Sequence, residues 1–71
     1  MNTAQDQDEK TLILNLLNEN PSSFLGGIRK SIIVMEKKCT VARNYIKGGL
    51  IVWGISDTFE FRWDEESQKW F

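Results

Sequence analysis

The stretch TVARNYIKGGLIVWGIS, residues 40–56, decides the fold, because its glycines can be read in two ways. In one, Thr40 caps a helix with Val41, Ala42, Tyr45 and Ile46 facing inward. That helix runs through Gly48 and Gly49, keeps Leu50 and Trp53 on its buried stripe, and closes at Gly54. In the other, Gly48 sits just past the end of the helix, and Leu50 to Ile55, rich in branched residues, form a strand. Two interior glycines cost a helix roughly 2 kcal/mol relative to alanine, so intrinsic propensity favours the early stop.

Downstream, Phe59, Phe61 and Trp63 alternate with Glu60 and Arg62, the period of a half-buried strand. Asp64 to Ser67 make a polar turn, and the chain returns with Trp63 opposite Gln68 and Phe61 opposite Trp70, an aromatic face continuous across a hairpin. The aromatic residues concentrate between Trp53 and Phe71, so this end supplies much of the core bulk.

Upstream, residues 1–8 are polar and aperiodic and read as a disordered tail, leaving 9–71 as one domain. From Glu9 to Asn18, Leu12, Ile13, Leu16 and Leu17 recur at helical spacing, with Asp8 and Glu9 at the positive end of the helix dipole. Asn20 and Pro21 end this first helix. Ser22 or Ser23 then caps a second, whose stripe is Phe24, Leu25, Ile28, Ile32 and Met35, although Ser31 to Met35 also suit a strand by their branched residues. The expected architecture is α+β, three helices followed by a C-terminal antiparallel β-hairpin. A three-stranded meander replaces the hairpin if the third helix ends at Gly48.

Seventy-one residues, 41% of them hydrophobic, make a single small core that buries about 60% of the unfolded surface. Stability is therefore modest, and a homodimer would add to it. The one cysteine, Cys39, has no partner for an intramolecular disulfide, and the absence of histidine removes both the usual zinc ligand sets and an imidazole base. No enzyme, metal or cofactor is expected. Cys39 beside Lys37 and Lys38 reads as an unreactive thiol, with an activated thiolate the less favoured alternative. An uninterrupted apolar run such as Leu50 to Trp53 is far short of a membrane span, and the N-terminus does not resemble a signal peptide, so the expected compartment is cytoplasmic.

The net charge of −1 conceals an asymmetry. Residues 1–27 carry Lys10 against Asp6, Asp8, Glu9 and Glu19. Residues 28–50 carry Arg29, Lys30, Lys37, Lys38, Arg43 and Lys47 against Glu36 alone. Residues 51–71 return to acidic, with Arg62 and Lys69 against Asp57, Glu60, Asp64, Glu65 and Glu66. A basic middle third suits an anionic partner.

Three helices and a hairpin in so short a chain resemble the winged-helix superfamily. LILNLLNENPSS (12–23) is similar to its first helix and polar exit, residues 40–56 to a recognition helix, and FEFRWDEESQKWF (59–71) to the wing. The resemblance implies a small regulator of transcription or replication that places its third helix in the major groove of double-stranded DNA. On that helix Thr40, Arg43, Asn44 and Lys47 lie near DNA, Arg43 suiting guanine and Asn44 adenine, with Lys37, Lys38 and Lys47 toward phosphates and Arg29 and Lys30 also among the DNA-binding residues. The acidic turn Asp64, Glu65 and Glu66 opposes a phosphate contact by the wing, so the hairpin is expected to be packing or dimer surface. The alternative function is a non-enzymatic adaptor or inhibitor that binds a protein partner through that acidic hairpin.

Overall fold

A computed structural model describes residues 8–26 and 29–71. Within them the chain forms one helix, α1 (Glu9–Leu17), a 3-10 turn (Pro21–Phe24) and five strands: β1 (Lys30–Val34), β2 (Lys37–Asn44), β3 (Gly49–Trp53), β4 (Thr58–Asp64) and β5 (Lys69–Trp70). The strands follow one another in space as in sequence, each antiparallel to the next. The protein is mostly β, and the expected architecture of three helices and a hairpin is overturned.

The first helix forms where its periodicity places it. The Asp8 carboxylate caps its start by accepting from the Thr11 amide at 2.8 Å, and Ile13 and Leu17 are buried. No second α-helix forms among the described residues. Pro21 opens a single 3-10 turn that ends at Phe24, and Ser23 bonds back to the Asn20 carbonyl at 2.8 Å instead of capping a longer helix. Of the expected stripe, Ile28 lies outside the described residues, while Ile32 and Met35 belong to an extended segment and its turn. The branched run Ile32, Ile33 and Val34 prefers the pleated backbone, where Ile32 and Val34 turn to the core and Ile33 turns out. Met35 and Glu36 make the two-residue connection to β2 with φ of 49° and 66°, the left-handed pair of a tight hairpin turn without the usual Asn-Gly.

Nor is there a helix at Thr40, which lies in the middle of β2. Cys39 and Val41 point into the core, and Lys38, Thr40 and Ala42 alternate away from it, so a period of two prevails over the helical reading. Tyr45 and Ile46, expected inside, stand exposed on a turn. Gly48, at φ 75°, donates to the Asn44 carbonyl at 2.7 Å and returns the chain as β3. The strand reading of Leu50 onward therefore holds as far as Trp53, with Gly54 and Ile55 in the following loop and a strand and turn, not a helix, before it. Gly49 is required by close approach, because a Cβ there would strike the Phe61 backbone on β4.

The last hairpin exists, but its register differs from expectation. Trp63 opposes Trp70 and Asp64 opposes Lys69, while Arg62 and Phe71 exchange two backbone hydrogen bonds of 2.8 Å. Gln68 takes a left-handed φ of 59°, so the loop spans residues 65–68 and β5 sits two residues further along β4 than expected. Because the offset is even, Trp70 still faces inward with Phe61 and Trp63.

Two tethers fix α1 over one face of the sheet. At its start, the Glu9 carboxylate accepts from the Ile55 and Ser56 amides and the Ser56 hydroxyl in the β3–β4 loop, and the Ser56 hydroxyl bond, foremost, holds the Glu9 pKa below its ordinary value. At its end, the Asn18 amide side chain clasps the Trp70 backbone, donating to its carbonyl at 3.0 Å and accepting from its N–H at 2.8 Å. Ile13 and Leu17 then close on Val34, Val41, Leu50, Val52, Phe61 and Trp70. Cys39 lies in the same core, where burial, and secondly the Glu9 charge, push its pKa up and suppress the thiolate.

Candidate functional site

With α1 on one face, strand alternation leaves the other face open. Its rows follow from the register: Ser31, Thr40, Trp53 and Thr58 in one, Ala42, Ile51 and Glu60 in the next, then Asn44, Gly49 and Arg62. Trp53 is 42% exposed amid hydroxyl and small aliphatic neighbours, so part of its indole is open to solvent. The Arg29 guanidinium lies 5.8 Å from the ring centre. Lys38 is on the same face, one row from the β1–β2 turn, and Arg62 is at the far end. Lys47 reaches Glu60 at 3.7 Å, and both side chains remain more than half exposed. Because Gly49 contributes no side chain to its row, a cleft of about 360 Å³ opens there, lined by Asn44, Lys47, Glu60 and Arg62.

Of the residues read as DNA contacts, Arg29, Lys38, Thr40, Asn44 and Lys47 are brought to this open face, although on strands and turns rather than on a helix. Lys30 belongs to the opposite side, over the Phe24 ring at 5.9 Å. Lys37 begins β2 opposite Val34 and so also falls outside the group. Arg43 is committed to structure. Its guanidinium donates to the Leu25 carbonyl at 3.0 Å and the Gly49 carbonyl at 3.2 Å, and it lies against the rings of Tyr45 and Trp70. The assignment of Arg43 to guanine is therefore withdrawn. Asn44 Oδ1 accepts from the Lys47 amide at 3.4 Å and helps hold its own turn, so the pairing with adenine loses its basis along with the recognition helix. Trp53 was expected on a buried stripe, and Arg62 was read on the polar side of its strand but not among the site residues. The signal was the alternation of Leu50 and Val52 with Ile51 and Trp53, which only a strand reading turns into an exposed indole.

Of the acidic side chains, Glu60 lies on this face beside Lys47, and Asp64 ends the same side of β4. Asp8, Glu9 and Glu19 belong to α1 and its exit, and Glu65 and Glu66 stand exposed on the tip of the β4–β5 turn. Asp64 holds that turn, accepting from the Glu66 amide at 3.1 Å and the Ser67 hydroxyl at 2.9 Å, so of the acidic triplet proposed for a protein partner only Glu65 and Glu66 are free to act. Among the described residues no three His, Cys, Asp or Glu side chains cluster in a way that could hold a metal ion. No helix among them is long and apolar enough to cross a membrane. The chain matches no protein-family model, no curated protein and no solved structure.

Proposed function

We propose that the protein is a non-enzymatic nucleic-acid-binding module that works through the open face of its sheet and takes single strands in preference to duplex. The observation that carries this reading is the half-exposed Trp53 on a face that also carries Arg29, Lys38, Arg62 and the Lys47–Glu60 pair. A flat indole accepts any unstacked base, and cations around it follow a phosphate backbone. Duplex is the poorer ligand, because no helix of the described residues projects from this face to enter a major groove and bases inside a duplex cannot stack on a flat sheet. This replaces the helix-in-groove mechanism while keeping the anionic partner that the basic middle third suggested.

The test is a titration of labelled single-stranded oligonucleotide, with duplex alongside, at two salt concentrations. Four cations engaging phosphates give a slope of log affinity against log salt of about −3. Trp53→Ala removes a stacking interaction of roughly 1–3 kcal/mol per base, and so lowers affinity about tenfold or more without unfolding a protein that keeps this side chain outside its core. Arg62→Ala lowers affinity for all sequences and flattens the salt slope. If single strands fail to bind at low salt, or bind equally well to Trp53→Ala, the nucleic-acid reading is wrong.

A further inference from the structure

The first strand leaves one side of the sheet unpaired. No strand of the described residues lies beyond β1. The two-residue turn closes on Val34 and Lys37, and in such a hairpin the closing pair exchanges its backbone bonds, as do alternate pairs behind it. Ile32 and Lys30 therefore bond inward to β2, while Ser31 and Ile33 turn their N–H and C=O groups to the free edge. The usual protections of such an edge are weak here, for β1 has neither proline nor bulge, and Ile33 and Met35 beside it are 60% and 58% exposed. Between this edge and α1 runs an apolar groove of about 340 Å³, whose walls include Leu12 and Leu16 from the helix and Ile33 and Val34 from the strand.

We propose that the edge pairs with β1 of a second copy, joining two five-stranded sheets into one of ten. Antiparallel pairing about a twofold axis at Ile32 sets Ser31 of each copy against Ile33 of the other, so that each outward N–H and C=O finds its complement. The charges of this edge are arranged to match. Arg29 and Lys30 lie at the start of β1, and Glu36 lies just past its end, with Glu19 at the same end of the groove. An antiparallel copy brings the basic end of each edge beside the acidic end of the other, whereas a parallel copy would set like charges together. A twofold axis normal to the sheet puts both α1 helices on one side, where Leu12 and Leu16 of the two copies close the groove. It also puts both open faces on the other side, doubling the surface around Trp53. The proposal does not depend on what that surface binds.

Sedimentation of the full chain from micromolar to about millimolar concentration tests it, with a reversible monomer–dimer equilibrium expected. Ser31→Pro removes an N–H that the monomer does not use, which an edge strand tolerates, so this variant should keep its far-ultraviolet circular dichroism and remain monomeric throughout. Should the proline disturb folding, Ile33→Lys makes the same test with a side chain that points away from the core. Lys30→Glu and Glu36→Lys should each weaken the dimer several-fold, and the double exchange should restore it. A parent chain that stays monomeric at the highest concentration overturns the proposal, and so does a dimer that survives both Ser31→Pro and Ile33→Lys. Oligonucleotide binding measured on monomeric Ser31→Pro reports separately on the open face.

Discussion

Trp70 is where the C-terminal strand, the helix exit and the core meet, and a graded set of substitutions there weighs each connection. The side chain is 2% exposed, packs edge-on against Trp63 with ring centres 4.8 Å apart, and donates its indole N–H to the Pro21 carbonyl at 2.9 Å. Trp70→Ala removes the largest fully buried side chain, at a cost of about 3–5 kcal/mol. A domain of this length has about 4–11 kcal/mol of stability in all, with small cores toward the lower end, so the alanine variant should be largely unfolded at 25 °C. Trp70→Phe keeps an aromatic ring in place but strands the Pro21 carbonyl and leaves a small void, for a loss of about 1–2 kcal/mol. Asn18→Ala breaks both bonds of the clasp on the Trp70 backbone, at about 1 kcal/mol each. Urea unfolding followed by circular dichroism reads the series. At about 1 kcal/mol per molar urea for so small a chain, the two milder variants should lower the midpoint by about 1–2 M, and the alanine variant by 3 M or more if any transition survives. Deleting residues 69–71 should act like Trp70→Ala, since it removes β5 entirely. A cooperative transition in Trp70→Ala within about 1 M of the parent would falsify this account of the core.

Two further predictions concern a turn and a tether. The β2–β3 and β4–β5 loops share a construction, with Gly48 and Gln68 each left-handed and donating to a carbonyl four residues back, so Gln68→Gly should raise stability by about 1 kcal/mol and Gly48→Gln should lower it by a similar amount in the same urea assay. Glu9 binds the β3–β4 loop as a carboxylate, with its folded pKa below the unfolded value of about 4.3, so its contribution is complete above that pH and is lost as the pH falls through the lowered folded value. Unfolding measured from pH 6 down to pH 2 should show Glu9→Gln less stable than the parent at the upper end and the two converging at the lower, whereas a constant difference would show that ionisation of Glu9 does not drive the tether.

The helix and the last hairpin were legible because each carries an undivided signal. Leu12, Ile13, Leu16 and Leu17 fit only a period near 3.6, and Phe59, Phe61 and Trp63 fit only a period of two. Residues 24–46 carry both. Ile28, Ile32 and Met35 are spaced as on a helix, yet Ile32 and Val34 also alternate with Ile33, and Cys39 and Val41 alternate with Lys38, Thr40 and Ala42. Such ambiguity is decided by what the rest of the chain can cover. A lone amphipathic helix at the N-terminus needs a broad apolar surface to close on, and the sheet supplies it from five strands through Val34, Val41, Leu50, Val52, Phe61 and Trp70. Local propensity already leaned this way, through the branched residues at 31–35 and the cost of Gly26, Gly27, Gly48 and Gly49 inside helices. The winged-helix order of elements has no counterpart among the described residues.

The candidate surface was half legible for the same reason. The sequence shows which residues are basic, but the role open to each depends on the face of a strand it occupies, and a helical projection sorts residues differently from a pleated one. On a helix Arg43, Asn44 and Lys47 share a side. On β2 and its turn Arg43 and Asn44 point oppositely, which sends Arg43 inward to two backbone carbonyls and leaves Asn44 and Lys47 beside the open face. The same parity brings Trp53 out of the core and sets it between Thr40 and Thr58. Anion binding and base stacking thus become neighbours only once residues 40–56 are folded as a hairpin. Arg43→Ala consequently tests the fold more than the ligand: it should lower stability by freeing the Leu25 and Gly49 carbonyls, while oligonucleotide affinity per folded molecule stays near the parent value. A selective loss of affinity with no loss of stability would return Arg43 to the binding surface and contradict the parity argument on which the open face was built.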